Sequence, residues 1–347
     1  MSAKASSSRG KLRAAIAGCG RIAGGFDKDP KRKYVATHAG AYTRSKDFEL
    51  VAVCDNDAEK LKEFGKTWSV GNLYGDFGEM LRKEKPDLVS ICTWPESHFD
   101  LCVQAIRAGV KGIFCEKPVT DRLDKADELL DLCRKTGTVL AVNHSRRWDT
   151  GLQKLKRVIT GGKLGKIHQV QCFYTAGISN TGTHLFDLLR DFLGDVDSVM
   201  ASPAPVFGDK DLTLSGELIF KNGTRVSLCG LNVQDYLIFE MDFYGSKGRL
   251  RIKHSGFGME AWKVGPSKFF SGYKELTPVK LAVPLEKKNM MMNAVKDLAA
   301  CVRSGKQPLS TAEDGLKALE LICAFHESFK RGGERLKLPL AGRKAGL

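Results

Sequence analysis

Five short runs of uninterrupted apolar residues in the first 143 positions constrain this chain most: "LRAAIAG" (12–18), "FELVAVCD" (48–55), "LVSICT" (88–93), "GIFCE" (112–116) and "VLAVN" (139–143). A strand with one wet face alternates apolar and polar residues. These runs do not alternate, so both of their faces are buried, as in a parallel sheet covered by helices on each side. Between them lie "DAEKLKEFGK", "DFGEMLRKEK", "HFDLCVQAIRAG" and "LDKADELLDLCRKTG", whose apolar residues recur with the helical period. Strands and helices in alternation build a doubly wound α/β domain of Rossmann type, expected over residues 11–143.

Past about residue 150 the pattern changes. "KIHQVQCFYTAG", "GELIFKNG", "TRVSLCGL", "YLIFEMDFYG" and "GRLRIKH" read as strands with little helix between them, and "FKNGTR" offers an Asn-Gly hairpin turn. Helices are expected at 151–161, 183–193, 289–304 and 311–330, the last opened by a Ser310-x-x-Glu313 capping box. Residues 144–335 therefore form an α+β domain on a mainly antiparallel sheet. Residues 1–10, without an apolar stretch of the kind a signal peptide needs, read as a disordered tail, and 336–347 as a basic C-terminal tail.

A chain of 347 residues is too long for one ordinary core, which agrees with two domains. No run of 18 apolar residues exists, so no membrane span is expected. None of the ten cysteines forms a C-x-x-C pair or stands at metal-ligand spacing from a histidine, and several fall in apolar strands. Free thiols point to a reducing compartment, the cytoplasm, and no metal is expected. The net charge of +15 is concentrated at the ends: Lys4, Arg9, Lys11 and Arg13 at one, and six Lys/Arg against Glu334 in 330–347 at the other. No basic stripe with interleaved aromatics remains for nucleic acid. An anionic small ligand suits the charge instead.

Gly18-Cys19-Gly20-Arg21-Ile22-Ala23 follows the first strand directly. As a string it is weak, but in this context glycines let the backbone approach a pyrophosphate. Gly18, Gly20, Arg21 and Ile22 are thus candidate cofactor contacts. Asp55 ends the second strand, where a carboxylate accepts hydrogen bonds from an adenosine ribose and repels a 2′-phosphate. This favours NAD, with NADP as the alternative. Asp55 could instead cap the helix of "DNDAEK", a task Asp57 could equally take. The Gly18–Asp55 separation is longer than usual, and the excess maps to the charged stretch "GGFDKDPKRKY" (24–34), an inserted loop whose Lys or Arg could touch the cofactor.

Ligands of a doubly wound sheet lie at the carboxyl ends of its strands. Thr93 and Glu116-Lys117 fall at such ends. Neighbours in an extended chain point to opposite faces, so a Glu116–Lys117 pair does not account for both charges.

Several stretches in order, "GCGRIA", "VAVCD", "TWPESH" (93–98), "CEKPVT", "NHSRRW" (143–148), "GKLGKI", "NTGTHLFDLL" (180–189) and "YGSKGRL", resemble the Gfo/Idh/MocA oxidoreductases, over about residues 12 to 330. The resemblance implies a Rossmann domain followed by an open-faced sheet domain, and a homodimer or homotetramer formed through that sheet. It implies a sugar, cyclitol or nucleotide-sugar as substrate. Lys117 is implied to sit by the nicotinamide and the reacting carbon, often before a cis proline. Desolvation and a nearby cationic ring lower a lysine's pKa, which suits it to acid/base work. Glu116 is expected to support the cofactor site, and Thr93, Trp94 and His98 to shape the loop beside nicotinamide or ribose. His98 could equally be an ordinary first-turn helix residue.

His184 is the second candidate for acid/base work. Leu185, Leu188, Leu189 and Phe192 share one helical face; His184, Asp187 and Asp191 lie on the other. Thr183 is expected to cap this helix, placing His184 in a first turn where the dipole disfavours imidazolium. Asp187 either orients His184 or belongs to a solvated face. Asn180 stands where many members of the family carry Asp. It can orient a hydroxyl but cannot take its proton. Asn143, Arg146, Arg147 and Trp148 are expected to line the cleft where the domains meet, with the arginines suited to an anion and the indole to a sugar face. One of the two arginines pairs structurally, and the sequence does not say which. Alternative functions are a dinucleotide-sensing regulator without catalysis and a reductase of a non-sugar substrate.

Overall fold

The computed structural model describes residues 10–280 and 289–347, so the expectation for 1–10 falls, Gly10 apart, outside the described residues. The chain divides into two compact units that are not contiguous in sequence. The first takes residues up to Glu116, then Glu128–Ser145 and Lys288–Ala312; the second takes Lys117–Asp127, Arg146–Lys287 and Glu313–Leu347. The two sequence domains thus exchange segments that hydropathy could not assign.

The first unit holds a six-stranded sheet. Its strands are β1 (Leu12–Ala17), β2 (Phe48–Cys54), β3 (Asn72–Tyr74), β4 (Leu88–Ile91), β5 (Gly112–Cys115) and β6 (Val139–Val142), in the order β3-β2-β1-β4-β5-β6 with every pair parallel. β1, β4, β5 and β6 are almost wholly buried, the reason their sequences carry no polar alternation. The three-residue β3 went unseen because an exposed edge strand carries no apolar run.

The long Gly18–Asp55 spacing has a local explanation. The first helix of the fold is interrupted. A turn at 21–24 follows Gly20, the chain loops out, and the helix resumes as His38–Arg44. The two pieces bond as one helix, with the His38 N–H donating to the Ile22 carbonyl (3.2 Å) and the Ala39 N–H to that of Ala23 (2.9 Å). The basic loop is therefore an insertion after the first turn of the first helix. It is pinned to the helix Ala58–Trp68 by Lys28–Glu63 (2.5 Å), and by Gly24, where any Cβ would collide with Trp68 and Phe64.

The second unit holds a nine-stranded sheet. Its strands are β7 (Ile167–Tyr174), β8 (Val196–Ala201), β9 (Gly216–Phe220), β10 (Arg225–Gly230), β11 (Phe239–Gly245), β12 (Gly248–Lys253), β13 (Gly258–Pro266), β14 (Lys274–Val279) and β15 (Leu336–Lys337), in the order β14-β13-β12-β11-β7-β10-β9-β8-β15. Only β7 and β10 run parallel; every other pair is antiparallel. Asn222-Gly223 turns β9 into β10, with Gly223 at φ +83°. One face of the sheet packs Val170, Cys172, Tyr174, Met241 and Phe243 against the helices Thr150–Thr160, Thr183–Leu193 and Ala312–Lys330. The other face carries polar rows, paired as Glu240–Arg251 and Asp242–Arg249.

Two local expectations are corrected. Residues 336–347 are folded. β15 pairs with β8, the Leu347 N–H reaches the Asp121 carbonyl, and Arg343 bridges Asp127 and Glu320. Ser310 does not cap the last helix: that helix begins at Ala312, which puts Thr311 at the cap position, and the Ser310 hydroxyl is buried without a hydrogen-bond partner among the described residues. Among the described residues no helix is long and apolar enough to cross a membrane, and all ten cysteines are free.

Candidate active site

Gly18 closes β1. Its φ is +90°, and a Cβ there would lie 2.8 Å from the Cys92 carbonyl oxygen, so only glycine lets the turn pass this close to the end of β4. At Gly20 the nearest atom to a Cβ would be 4.0 Å away, which leaves the backbone open to a pyrophosphate. Asp55 hooks the turn from β2. One carboxylate oxygen accepts the Cys19 N–H (2.6 Å) and the other the Asp57 N–H (2.9 Å). Each oxygen retains a lone pair for a ribose hydroxyl. Asp57, not Asp55, caps the helix Ala58–Trp68. Burial, then Asp55, pushes the Cys19 thiol up to about 12, so it stays neutral. Arg21 is exposed, its guanidinium 4.7 Å from the Phe26 ring, and Arg32 of the inserted loop lies 4.3 Å from the same ring. Ile22 is half-buried in this turn. The open backbone at Gly20 and the hooked carboxylate fit a dinucleotide. Gly18, Gly20 and Arg21 would hold its phosphates and Asp55 its ribose.

At the end of β4, Trp94 precedes Pro95, the first residue of the helix Pro95–Arg107, and is 81% exposed. Thr93 is tied to this helix by the Ser97 hydroxyl (2.7 Å). His98 is buried, and its Nε2 donates to the Thr93 carbonyl (3.1 Å). Its ring therefore braces the loop from within.

The ends of β5 and β6 meet in a buried polar chain. Glu116 is 7% exposed; its Oε1 accepts from the Asn143 amide (2.6 Å) and lies 2.9 Å from His38 Nε2. His38 Nδ1 lies 2.8 Å from the Ser90 hydroxyl, which lies 2.6 Å from the Tyr42 hydroxyl. Asn143, expected at the substrate, is thus tied to Glu116. His38, Ser90 and Tyr42 escaped the sequence reading. For His38 and Tyr42 the signal is "THAGAY", hidden because the insertion separates it from its own helix; Ser90 is a single polar residue inside the apolar run of β4.

In the second unit Lys117 follows at once, with a cis bond to Pro118. Its ammonium donates to the Asn180 side-chain oxygen (2.9 Å) and to the Asn180 carbonyl (3.0 Å). Asn180 sits in a π-helical turn, Gly177–Gly182, that runs directly into the helix Thr183–Leu193. Thr183 therefore has helical dihedrals and is not the cap, and His184 follows a full helical turn and does not stand at a free helix N-terminus. Capping comes from elsewhere. Asp211 accepts the N–H groups of Ser179 (2.9 Å) and Asn180 (2.8 Å), and the Thr213 hydroxyl accepts that of Gly177 (2.8 Å). No local pattern reveals Asp211, which is distant in sequence from the turn it holds.

His184 is half-buried. Asp187 is not on a solvated face: it is 0% exposed and takes two bonds from the Arg147 Nε (2.9 Å) and Nη2 (2.8 Å). Arg147 also reaches Asp191 (2.7 Å) and Asp314 (2.9 Å). Burial opposes its charge, but the three carboxylates outweigh burial and raise its pKa. Arg147 is thus the arginine paired structurally. Arg146 is instead stacked 4.0 Å from the Phe239 ring centre. Trp148 is 1% exposed, so its indole belongs to the interior rather than to a sugar-binding surface. Among the described residues no cluster of His, Cys, Asp and Glu could hold a metal.

Two family models match this chain: the NAD-binding Rossmann fold of an oxidoreductase family over residues 12–144, and the C-terminal alpha/beta domain of the same family over 175–338. The chain belongs to the Gfo/Idh/MocA oxidoreductase family. This Gfo/Idh/MocA protein is an NAD-binding oxidoreductase. It is 26% identical to a D-apiose dehydrogenase of Paraburkholderia graminis over 319 residues, 82% of each chain. It is 24% identical to a myo-inositol 2-dehydrogenase of Thermotoga maritima over 333 residues, 84% of this chain and 92% of that one. Its fold is that of the WlbA dehydrogenase of Bordetella pertussis, solved with NADH and UDP-GlcNAcA, at a TM-score of 0.77 and 22% identity over 95% of this chain and 99% of that one.

Proposed function

We propose that this enzyme transfers a hydride between NAD and a carbinol carbon of a sugar, cyclitol or nucleotide-sugar, with Lys117 as the acid/base group. The observation that carries the reading is the pair of hydrogen bonds that the Lys117 ammonium donates to the backbone and side-chain oxygens of Asn180, on a π-helical turn clamped by Asp211. A flexible lysine held from two acceptors is placed, not solvated at random, and π turns recur at functional positions. NAD, when bound, supplies the hydride acceptor. As the hydride leaves the carbon, the hydroxyl proton must leave as well; the neutral Lys117 amine takes it, and in reduction the ammonium returns it. Asn180 offers two neutral acceptors where many relatives carry a carboxylate, so it orients Lys117 without holding a proton. His184, a turn further along the same helix, is assigned to orient the substrate hydroxyl. Arg147 is committed to three aspartates, so recognition of an anionic substrate group falls to Arg146, held against Phe239. The dehydrogenases of D-apiose and of myo-inositol among the relatives support a sugar or cyclitol substrate.

The test is a screen of sugars, cyclitols and nucleotide-sugars with NAD⁺, followed by the fluorescence of NADH. Lys117→Ala should lower kcat by about 10²–10⁴-fold while NADH binding persists. Tight NADH binding with no turnover on any substrate would instead favour a dinucleotide-sensing regulator.

A further inference from the structure

One short loop closes over the start of the helix that carries Asn180 and His184. Four successive N–H groups open the turn Gly177–Gly182, and residues 211–213 supply an acceptor for each. The Thr213 hydroxyl accepts from Gly177 (2.8 Å), the Leu212 carbonyl from Ile178 (2.9 Å), and the two Asp211 side-chain oxygens from Ser179 (2.9 Å) and Asn180 (2.8 Å). The loop is itself tied down. The Thr213 N–H donates to the Phe207 carbonyl (2.7 Å), and the Leu214 carbonyl accepts from the buried Tyr174 hydroxyl (2.8 Å). The fit dictates sequence on the other side as well. A Cβ on Gly177 would lie 2.0 Å from an Asp211 oxygen, so only glycine admits this side chain here.

Such a seat is more than a helix end requires. Water or one side chain of the preceding residue often satisfies the first N–H groups of a helix. Here the chain instead leaves β7 through two consecutive left-handed residues, Ala176 (φ +64°) and Gly177 (φ +83°), and enters a π turn. A left-handed alanine is strained, and such backbone persists where its surroundings over-determine it. What the strain delivers is Asn180. Its N–H is held by Asp211, while its side-chain oxygen and its carbonyl both accept from the Lys117 ammonium (2.9 and 3.0 Å). Asp211, Asn180 and Lys117 all belong to the second unit. We propose that Asp211 is a positioning residue for Lys117: it fixes the backbone of Asn180 and, through it, the two oxygens to which the ammonium bonds. It acts by its two acceptor oxygens and not by touching the lysine. Its bearing on catalysis rests on the reading of Lys117 as the acid/base group, and its test is chosen to be independent of turnover.

The experiment is trace acetylation of the full-length protein by acetic anhydride, with the rate at each lysine read by mass spectrometry. Asp211→Ala takes the acceptors from the Ser179 and Asn180 N–H groups, so Asn180 shifts and the ammonium loses oxygens that favour its charged form. Acetylation at Lys117 should rise by about threefold or more. Thr213→Val removes the acceptor of Gly177 in the same turn but leaves Asn180 held, and should keep the wild-type rate at Lys117. Lys221, in the turn between β9 and β10, is the internal standard and should not change in either variant. An unchanged Lys117 rate in Asp211→Ala overturns the proposal. So does an equal rise in Thr213→Val, which would make Asp211 one of several caps that merely keep the turn folded. If Asp211→Ala does not fold, Asp211→Asn, which offers one acceptor oxygen for the two N–H groups, serves with the same outcomes. Turnover by Lys117→Ala at the wild-type rate would remove the acid/base reading and leave the acetylation result standing.

Discussion

At the scale of single residues, the chemistry turns on which partner each charged group has found. Lys117 has an amide and a carbonyl of Asn180, both neutral. Asn180→Asp would put a carboxylate within hydrogen-bond reach and hold the ammonium charged to higher pH. Oxidation needs the free amine, so the rising limb of the pH–rate profile should move up by about one unit or more. A profile that stays in place would mean that Lys117 is not the titrating base. Asp187 supports the opposite kind of prediction. Fully buried under Arg147, it should cost about 3–5 kcal/mol of stability in urea unfolding when changed to alanine, where a solvated carboxylate would cost less than about 0.5. The sequence marks the residues at strand ends, Asp55, Thr93, Glu116 and Lys117, because apolar runs stop at them. It does not mark their partners. Nothing near Asn180 announces Asp211, and nothing in "NHSRRW" separates the arginine bound by three aspartates from the one stacked on Phe239.

At the scale of elements, periodicity recovers what is long or fully buried and misses what is short or interrupted. β1, β4, β5 and β6 follow from unbroken apolar runs, while the edge strand β3 and the split first helix do not. The split helix makes its own prediction. Deleting residues 24–35 would join Ala23 to Ala36 and make His38 the fourth residue after Ile22, the separation of an α-helical hydrogen bond already seen between these two. The shortened protein should fold cooperatively and melt within about 4 °C of the parent. The losses are the exposed Lys28–Glu63 pair, the packing at Gly24 and the contacts of Asp27, which accepts the Ala36 N–H (2.7 Å) and pairs with Arg44 (3.7 Å), against the gain of a shorter closed loop. Loss of a cooperative transition would show that the insertion is part of the unit's core rather than an appendage. If Arg32 and the lysines of the loop hold a cofactor phosphate, the same deletion will also weaken NADH binding, measured by fluorescence titration.

At the scale of the whole molecule, hydropathy distinguishes the two kinds of sheet but not the path of the chain between them. A boundary at 143 is natural to a linear reading, yet 117–127 belongs with the second unit and 288–312 with the first. Such exchanges depend on tertiary contacts that no local window contains. The C-terminus shows the cost of reading charge alone. "GRKAGL" resembles a solvated basic tail, but Arg343 places Nε on Asp127 (2.7 Å) and Nη1 on Glu320 (2.5 Å), and the Glu320 side chain is only 3% exposed. The second unit thus holds a buried acid whose principal counter-charge comes from the last residues of the chain. Arg343→Ala would leave Glu320 with the Lys317 ammonium at 3.4 Å and the Leu340 N–H at 3.2 Å. Removing one partner of a buried pair typically costs about 3–5 kcal/mol, so the melting temperature should fall by roughly 6 °C or more. Arg343→Lys keeps the charge but cannot reach both carboxylates with a planar fork, and should fall between the two. Arg343→Ala with an unchanged melting curve would mean that the terminal segment lies on the surface without holding it, and Glu320 would then need another source of compensation.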